Sequence, residues 1–192
     1  MIETETDETL MRLYQAGDAR AFETLYARHK GALYRYFLRQ CGVAATAEEL
    51  YQDVWMNLIR ARERYEPRAK FTTYLYRLAH NRLVDYYRRQ SSGIPLSYED
   101  DEDEPLTERI ADSPQREPDN ELDARRQAAQ LRSLIATLPE AQREAFLLSE
   151  EGGLSLAEIA ETTGVNPETA KSRLRYAVAK LRAGLGAPRK AG

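Results

Sequence analysis

Cysteine is nearly missing from this 192-residue chain, with Cys41 its single example and His29 and His80 its only histidines. One thiol cannot close an internal disulfide, and three such side chains fall short of the four ligands of a structural zinc. Cys41 therefore reads as a buried apolar residue of a helix. No apolar run approaches the ~20 residues of a membrane span, and the first ten residues are acidic where a secretion signal would be basic and apolar. A cytoplasmic location is expected. Glycine-rich phosphate loops, a Gly-x-Ser-x-Gly elbow and clustered His/Asp/Glu sets are all lacking, so neither an enzyme, a cofactor nor a metal is expected. Strand-like alternation is lacking too. Apolar residues recur at spacings of three and four, which predicts an all-α fold.

What is present is charge, unevenly spread. The formal net charge of −3 argues at first against nucleic acid, but residues 97–123 hold 12 acidic and 2 basic residues, a balance of −10. The rest of the chain therefore carries +7. An acidic connector between two basic bodies is expected, with domains at residues 1–92 and 120–192 and a flexible linker at 93–119. In the linker Ser91-Ser92-Gly93, Pro95, the acidic run at 99–104, Pro105, Pro114 and Pro118 hold too few apolar groups to offset the entropy of ordering.

In the first body, residues 3–16 read as a short helix capped by Thr6 or Asp7 and stopped at Gly17, and Asp18 caps a longer one running to Gly42. Thr46-Ala-Glu-Glu49 reads as a capping box opening a third helix, which ends before Pro67. In that helix Glu49, Asp53 and Asn57 share a side, around Val54, Trp55 and Leu58; an apolar centre ringed by acid suits a partner surface, although Trp55 could equally be core. After the Pro67 turn a fourth helix covers residues 70–89. Phe71, Leu75, Leu78 and Tyr86 form its core stripe. Lys70, Tyr74, Arg77, Asn81 and Arg88 form a second stripe combining cations, a ring and an amide, as a surface holding unpaired nucleic acid requires; the plainer reading is a solvated basic face.

The second body carries the strongest motif. Leu122, Ala129, Leu131, Leu134, Ile135 and Leu138 indicate a helix, Pro139 suits the first turn of the next, and Ser155-Leu-Ala-Glu158 is a capping box whose helix ends before Gly164. Asn166-Pro167 then starts a last helix to Gly184. Ala160, where two helices must cross closely, and Gly164 at the turn give the layout of a helix-turn-helix. Ala170, Leu174, Ala177, Val178 and Leu181 form the inner side of the last helix, while Glu168, Ser172, Arg175 and Tyr176, flanked by Lys171 and Arg173, form a donor-rich outer side suited to a major groove.

Read together, these segments resemble the bacterial RNA polymerase sigma factors of the extracytoplasmic-function group. Asp18-Ala-Arg-Ala-Phe-Glu-Thr-Leu-Tyr26 is similar to the start of sigma region 2, and Ala47-Glu-Glu-Leu-Tyr-Gln-Asp-Val-Trp55 to its polymerase-binding segment. Phe71-Thr-Thr-Tyr-Leu-Tyr-Arg-Leu-Ala-His-Asn81, with Asp85, Arg88 and Arg89, is similar to the promoter-melting segment. Leu138-Pro139 through Leu181, above all Thr169-Ala-Lys-Ser-Arg-Leu174, is similar to region 4. Tyr74 stands where the family usually has tryptophan, and Ala170 where it often has valine.

The resemblance implies that the clamp helices of the polymerase core dock on Glu49, Asp53, Val54, Trp55, Asn57 and Leu58. It implies that Arg68, Lys70, Phe71, Tyr74, Arg77, Asn81, Arg88 and Arg89 hold the melted strand near position −10. Thr169, Lys171, Ser172, Arg173, Arg175 and Tyr176 would read duplex promoter DNA near −35. An anti-sigma partner is also implied. The acidic run at 99–104 could compete for the basic faces. Two other classes stay open: a stand-alone, dimeric helix-turn-helix regulator, and an adaptor between proteins, which leaves the basic outer side of the last helix unexplained.

Overall fold

In this computed structural model the described residues are 4–92 and 118–186, the side chains of 118–123 excepted. Eight α-helices and one 3-10 turn make up these residues, with no strand among them. Residues 93–117 of the expected 93–119 linker, with the acidic run at 99–104, and the side chain of Leu122 lie outside the described residues.

Local signals start and stop most helices where the sequence places them. Helix α1 (Asp7–Gln15) is capped by the Thr6 hydroxyl, and α2 (Ala19–Cys41) by the Asp18 carboxylate, which accepts from the Arg20 amide. Gly42 ends α2 with φ at 74°, a left-handed conformation open to a residue without Cβ. One expected start is corrected. Helix α3 (Ala44–Ala61) begins straight after this stop, with Val43 as its N-cap, so Thr46 lies inside the first turn, buried, and is not the cap of a capping box. The left-handed glycine reverses the chain so tightly that Val43 alone, in extended conformation, separates it from α3.

A 3-10 turn (Arg62–Arg64) leads through the Pro67 bend to α4 (Phe71–Ser91). The start of α4 is capped from a distance: Glu8 of α1 accepts the Phe71 amide at 2.7 Å, placing a carboxylate at the positive end of the helix dipole. Helices α1 to α4 close on Leu10, Leu25, Phe37, Leu50, Leu58, Phe71 and Leu75, all buried.

The second body comprises α5 (Pro118–Ala136), α6 (Glu140–Glu150), α7 (Leu156–Thr163) and α8 (Pro167–Gly186). Its first helix starts at Pro118, two residues before the expected 120. Ser155 and Glu158 form the reciprocal capping box, Gly164 turns the chain with φ at 67°, and the Asn166 side chain caps α8 through the Thr169 amide at 2.8 Å. Buried Ala160, Ala170 and Ala177 let α7 and α8 cross closely. Ala129, expected on an apolar side, is exposed.

The two bodies pack on each other, α4 against α7 and α2 against α5 and α6. Their apolar residues form one continuous core. At Gly152 an added Cβ would lie 2.6 Å from the Leu148 carbonyl oxygen, 2.7 Å from Leu154 Cδ1 and 3.2 Å from the ring of Tyr76 in α4. Only glycine lets the α6–α7 turn settle against that ring.

Candidate nucleic-acid and polymerase interfaces

The first surface surrounds the start of α4. Tyr65, Tyr74 and the Arg64 to Ala69 bend border a cleft of about 380 Å³, lined chiefly by Arg64, Tyr65, Glu66, Arg68, Tyr74 and Arg77. The rings of Tyr65 and Tyr74 meet edge to face, centroids 5.2 Å apart. Burial, with Glu8 next, pushes the Tyr65 phenol up to about 12, and burial also raises that of Tyr74, so both remain protonated donors near neutral pH. The Tyr65 hydroxyl is buried without a hydrogen-bond partner among the described residues. Arg68 stands out from the rim, tethered to Glu66 at 2.6 Å. Arg64 and Glu66 are not expected here from sequence, because residues ahead of a proline turn show no helical phase to place them.

Of the residues expected on this face, Arg68, Lys70, Asn81, Arg88 and Arg89 are exposed and Tyr74 and Arg77 are partly so. Phe71 is a correction. It is fully buried against the His29 ring at 5.3 Å, because the first residue of α4 turns toward α2, and it cannot touch a strand. Arg88 lies eleven residues beyond Arg77, about 16 Å along the axis at 1.5 Å per residue. It is also paired with Asp85 at 2.9 Å, so the stripe divides into two groups.

On α3 the expected apolar docking centre is also corrected. Val54, Trp55 and Leu58 are buried, Trp55 stacked edge-on with Phe22 at 5.9 Å and Tyr26 at 5.0 Å. Helical phase turns them inward, leaving Glu49, Gln52, Met56 and Arg60 exposed and Asp53 and Asn57 half-buried. Asp53 is engaged by Arg82 of α4, which spacing along one helix could not reveal.

On α8 the outer side is as expected. Lys171, Arg175 and Tyr176 are exposed, with the Arg175 guanidinium over the Tyr176 ring at 5.1 Å, and Thr169, Ser172 and Arg173 are half-buried beside them. This donor-rich strip begins at a capped helix N-terminus and carries no ion pair to a carboxylate among the described residues.

Family comparison follows the same division. The Sigma-70 region 2 family matches residues 25–93 and the Sigma-70, region 4 family matches residues 128–181. The RNA polymerase sigma factor CarQ of Myxococcus xanthus is 32% identical over 92% of this chain and 95% of that protein. The ECF RNA polymerase sigma factor RpoE of Cereibacter sphaeroides is also 32% identical, over 86% of each. The chain belongs to the extracytoplasmic-function group of the sigma-70 family. Its role is that of the family, to give RNA polymerase its promoter specificity, and a stand-alone regulator is not favoured. The fold agrees. CnrH, solved in complex with the cytosolic domain of CnrY, superposes with a TM-score of 0.67 at 24% identity, covering 96% of this chain and all of that one. RpoE of Bartonella quintana, solved with the anti-sigma factor NepR, gives 0.65 at 19%, covering 89% of this chain and all of that one.

Region 4 covers part of region 2 in this sigma factor. Lys70 is 3.1 Å from Glu158, and Arg77 is bonded to Glu161, both carboxylates belonging to α7. The backbone amide of Ser155 comes first among the groups that hold the Glu158 carboxyl down at about 2, so it is ionised wherever Lys70 would meet it near neutral pH. Deeper in the seam Glu144 accepts from the Tyr36 hydroxyl at 2.9 Å and lies 2.6 Å from His80 Nδ1. Glu151 is held by Arg39 and, at 3.0 Å, by Arg35.

Proposed function

We propose that the cleft at the start of α4 receives an unpaired base of the melted promoter strand while Arg68, Lys70 and Arg77 hold the flanking phosphates. Tyr74 supplies the ring on which a base stacks. The observation that carries this reading is the cleft itself, where Arg64, Arg68 and Arg77 converge on the edge-to-face rings of Tyr65 and Tyr74. Asn81, Arg88 and Arg89 extend the path along α4. Capturing a base that has left the stack favours the open duplex, since unstacking costs a few kcal/mol per step.

Helix α8 would lie in the major groove upstream, with Lys171, Arg173 and Arg175 on phosphates or guanines and Thr169, Ser172 and Tyr176 completing the strip. The polymerase core would meet the exposed edge of α3, Glu49, Gln52, Asp53, Met56, Asn57 and Arg60, with Val54, Trp55 and Leu58 supporting it from within. Residues 1–92 and 120–192 would then be the two working bodies, residues 93–119 their connector, and the cytoplasm their place of action. No catalytic step falls to this chain, because the polymerase makes the bonds. Because CnrH and the Bartonella RpoE are each solved with a binding partner, the latter named as an anti-sigma factor, an anti-sigma partner is proposed here also.

The test is to mix the purified chain with core polymerase and score transcription from a library of genomic fragments. Initiation at a defined subset of fragments is expected, with Arg68→Ala and Arg77→Ala reducing the open bubble while core binding persists. Core binding without an open bubble on any fragment would overturn the reading.

A further inference from the structure

We infer that α1 positions the strand-capturing cleft, its Glu8 and Gln15 clasping the two ends of the bend that borders it. This inference rests on the proposed role of that cleft. Helix α1 lies ahead of residues 25–93, the part of the chain that matches region 2.

The bend from Arg64 to Ala69 does little to hold itself. Pro67 has no amide to donate. Among the described residues the bend's own main-chain bonds are local, from the Tyr65 amide to the Arg62 carbonyl at 3.2 Å and from the Arg68 amide to the Glu66 carbonyl at 2.8 Å. At its far end Lys70, the N-cap of α4, has a side chain that donates but cannot accept, so the first amides of that helix find no cap beside them. One helix supplies both missing ties. The Gln15 side-chain amide donates to the Glu63 carbonyl at 3.0 Å and to the Tyr65 carbonyl at 3.3 Å. Glu8 accepts the Phe71 amide at 2.7 Å.

Glu8 and Gln15 stand two turns apart on one side of α1, about 10 Å along its axis, with buried Met11 between them. That side spans the bend and fixes both cleft rings. Gln15 holds the main chain of Tyr65 itself, and Glu8 holds the first turn of α4, in which Tyr74 stands. The Arg62 guanidinium, over the Tyr14 ring at 5.5 Å, adds a third contact just ahead of the bend. Helix α1 is in turn fastened to α2, where the Asp7 carboxylate meets Arg28 at 2.6 Å and His29 at 2.7 Å. Neither Glu8 nor Gln15 lines the cleft, so both act through the main chain. A wall set before the strand arrives avoids the entropy of ordering it on binding, and rings held at one spacing distinguish bases that a loose wall would admit alike.

The experiment uses the full chain with core polymerase on a promoter recovered from genomic fragments, in versions carrying each of the four bases at each melted position. Permanganate reactivity reads the bubble. In E8M/Q15M the clasp is gone. The yield of open complex should fall about tenfold, the scale of one or two lost hydrogen bonds, and the preference among bases at the captured position should shrink by a similar factor, with core binding at the parent level. E8Q loses the same charge as E8M but keeps an acceptor for the Phe71 amide, so it should recover most of what E8M loses. Hydrogen exchange at that amide should quicken in E8M and not in E8Q. A fall in yield that leaves base preference intact and follows a lowered melting temperature would make α1 a structural support and overturn the inference. So would E8Q impaired as much as E8M, or a double variant with the parent's yield and preference. R68A and R77A are measured alongside. If they leave the bubble intact, the strand reading of the cleft fails and the clasp falls with it; if they shrink it while E8M/Q15M does not, the clasp alone is lost.

Discussion

Tyr74 carries the sharpest single-residue expectation. Its ring stands at the cleft against Tyr65, and stacking a base on such a ring contributes about 1–3 kcal/mol. Tyr74→Ala should lower the yield of open complex about tenfold or more, whereas Tyr74→Trp should preserve it. Permanganate reactivity of unpaired thymines measures both. On α8, Arg175→Ala should weaken duplex binding and, where its guanidinium neutralises one phosphate, flatten the slope of log affinity against log salt by about 1. Phe71 and Trp55 show where residue type alone misleads. Both belong to motifs that bind partners in the family the sequence resembles, and both prove to be core, because an aromatic ring on a half-buried helix looks the same from either side until its neighbours are placed.

Among the elements, the capped helices were the legible part. Asp18, Ser155 with Glu158, and Asn166 with Pro167 each mark a helix start through hydrogen bonds within three residues, and such signals need no knowledge of the rest of the chain. Thr46 misled by the same logic, since its spacing to Glu49 matched a capping box while the stop at Gly42 had already started the helix. Two predictions belong at this scale. Asn166→Ala should destabilise the second body by about 1 kcal/mol, read as a lowered melting temperature with the first body's helices unchanged. Glu158 gives a pH dependence. Its carboxyl binds protons more weakly in the folded chain, at about 2, than at its ordinary 4.5. Its stabilising effect is therefore complete above 4.5 and is lost as pH falls toward 2. Melting followed through that range should show a smaller acid loss in Glu158→Gln than in the parent chain.

For the whole molecule, helical class and a two-body organisation could be read from spacing and charge, but the way the bodies meet could not. Glu144, Glu151 and Glu161 carry no local signature, and each finds its partner more than sixty residues away in the chain. Packing decides them, and packing has no period. A further consequence concerns salt. Because Lys70 and Arg77 are exposed where they meet α7 while Glu151, held by Arg35 and Arg39, is buried, raising ionic strength should loosen Lys70 and Arg77 from α7 before the bodies part. Scattering should therefore remain that of the closed shape at salt levels where hydrogen exchange on α7 has already quickened.

Gly152 sets a limit on how such a chain can change over generations. Any side chain at that position would deform the hairpin on which α8 packs and would at the same moment push that hairpin away from Tyr76. The closure of the seam and the seating of α8 are thus tied to one hydrogen atom. Variants with a looser seam have to arise elsewhere along it, at Arg35, Arg39, Glu144 or Glu161, which lie outside the turn.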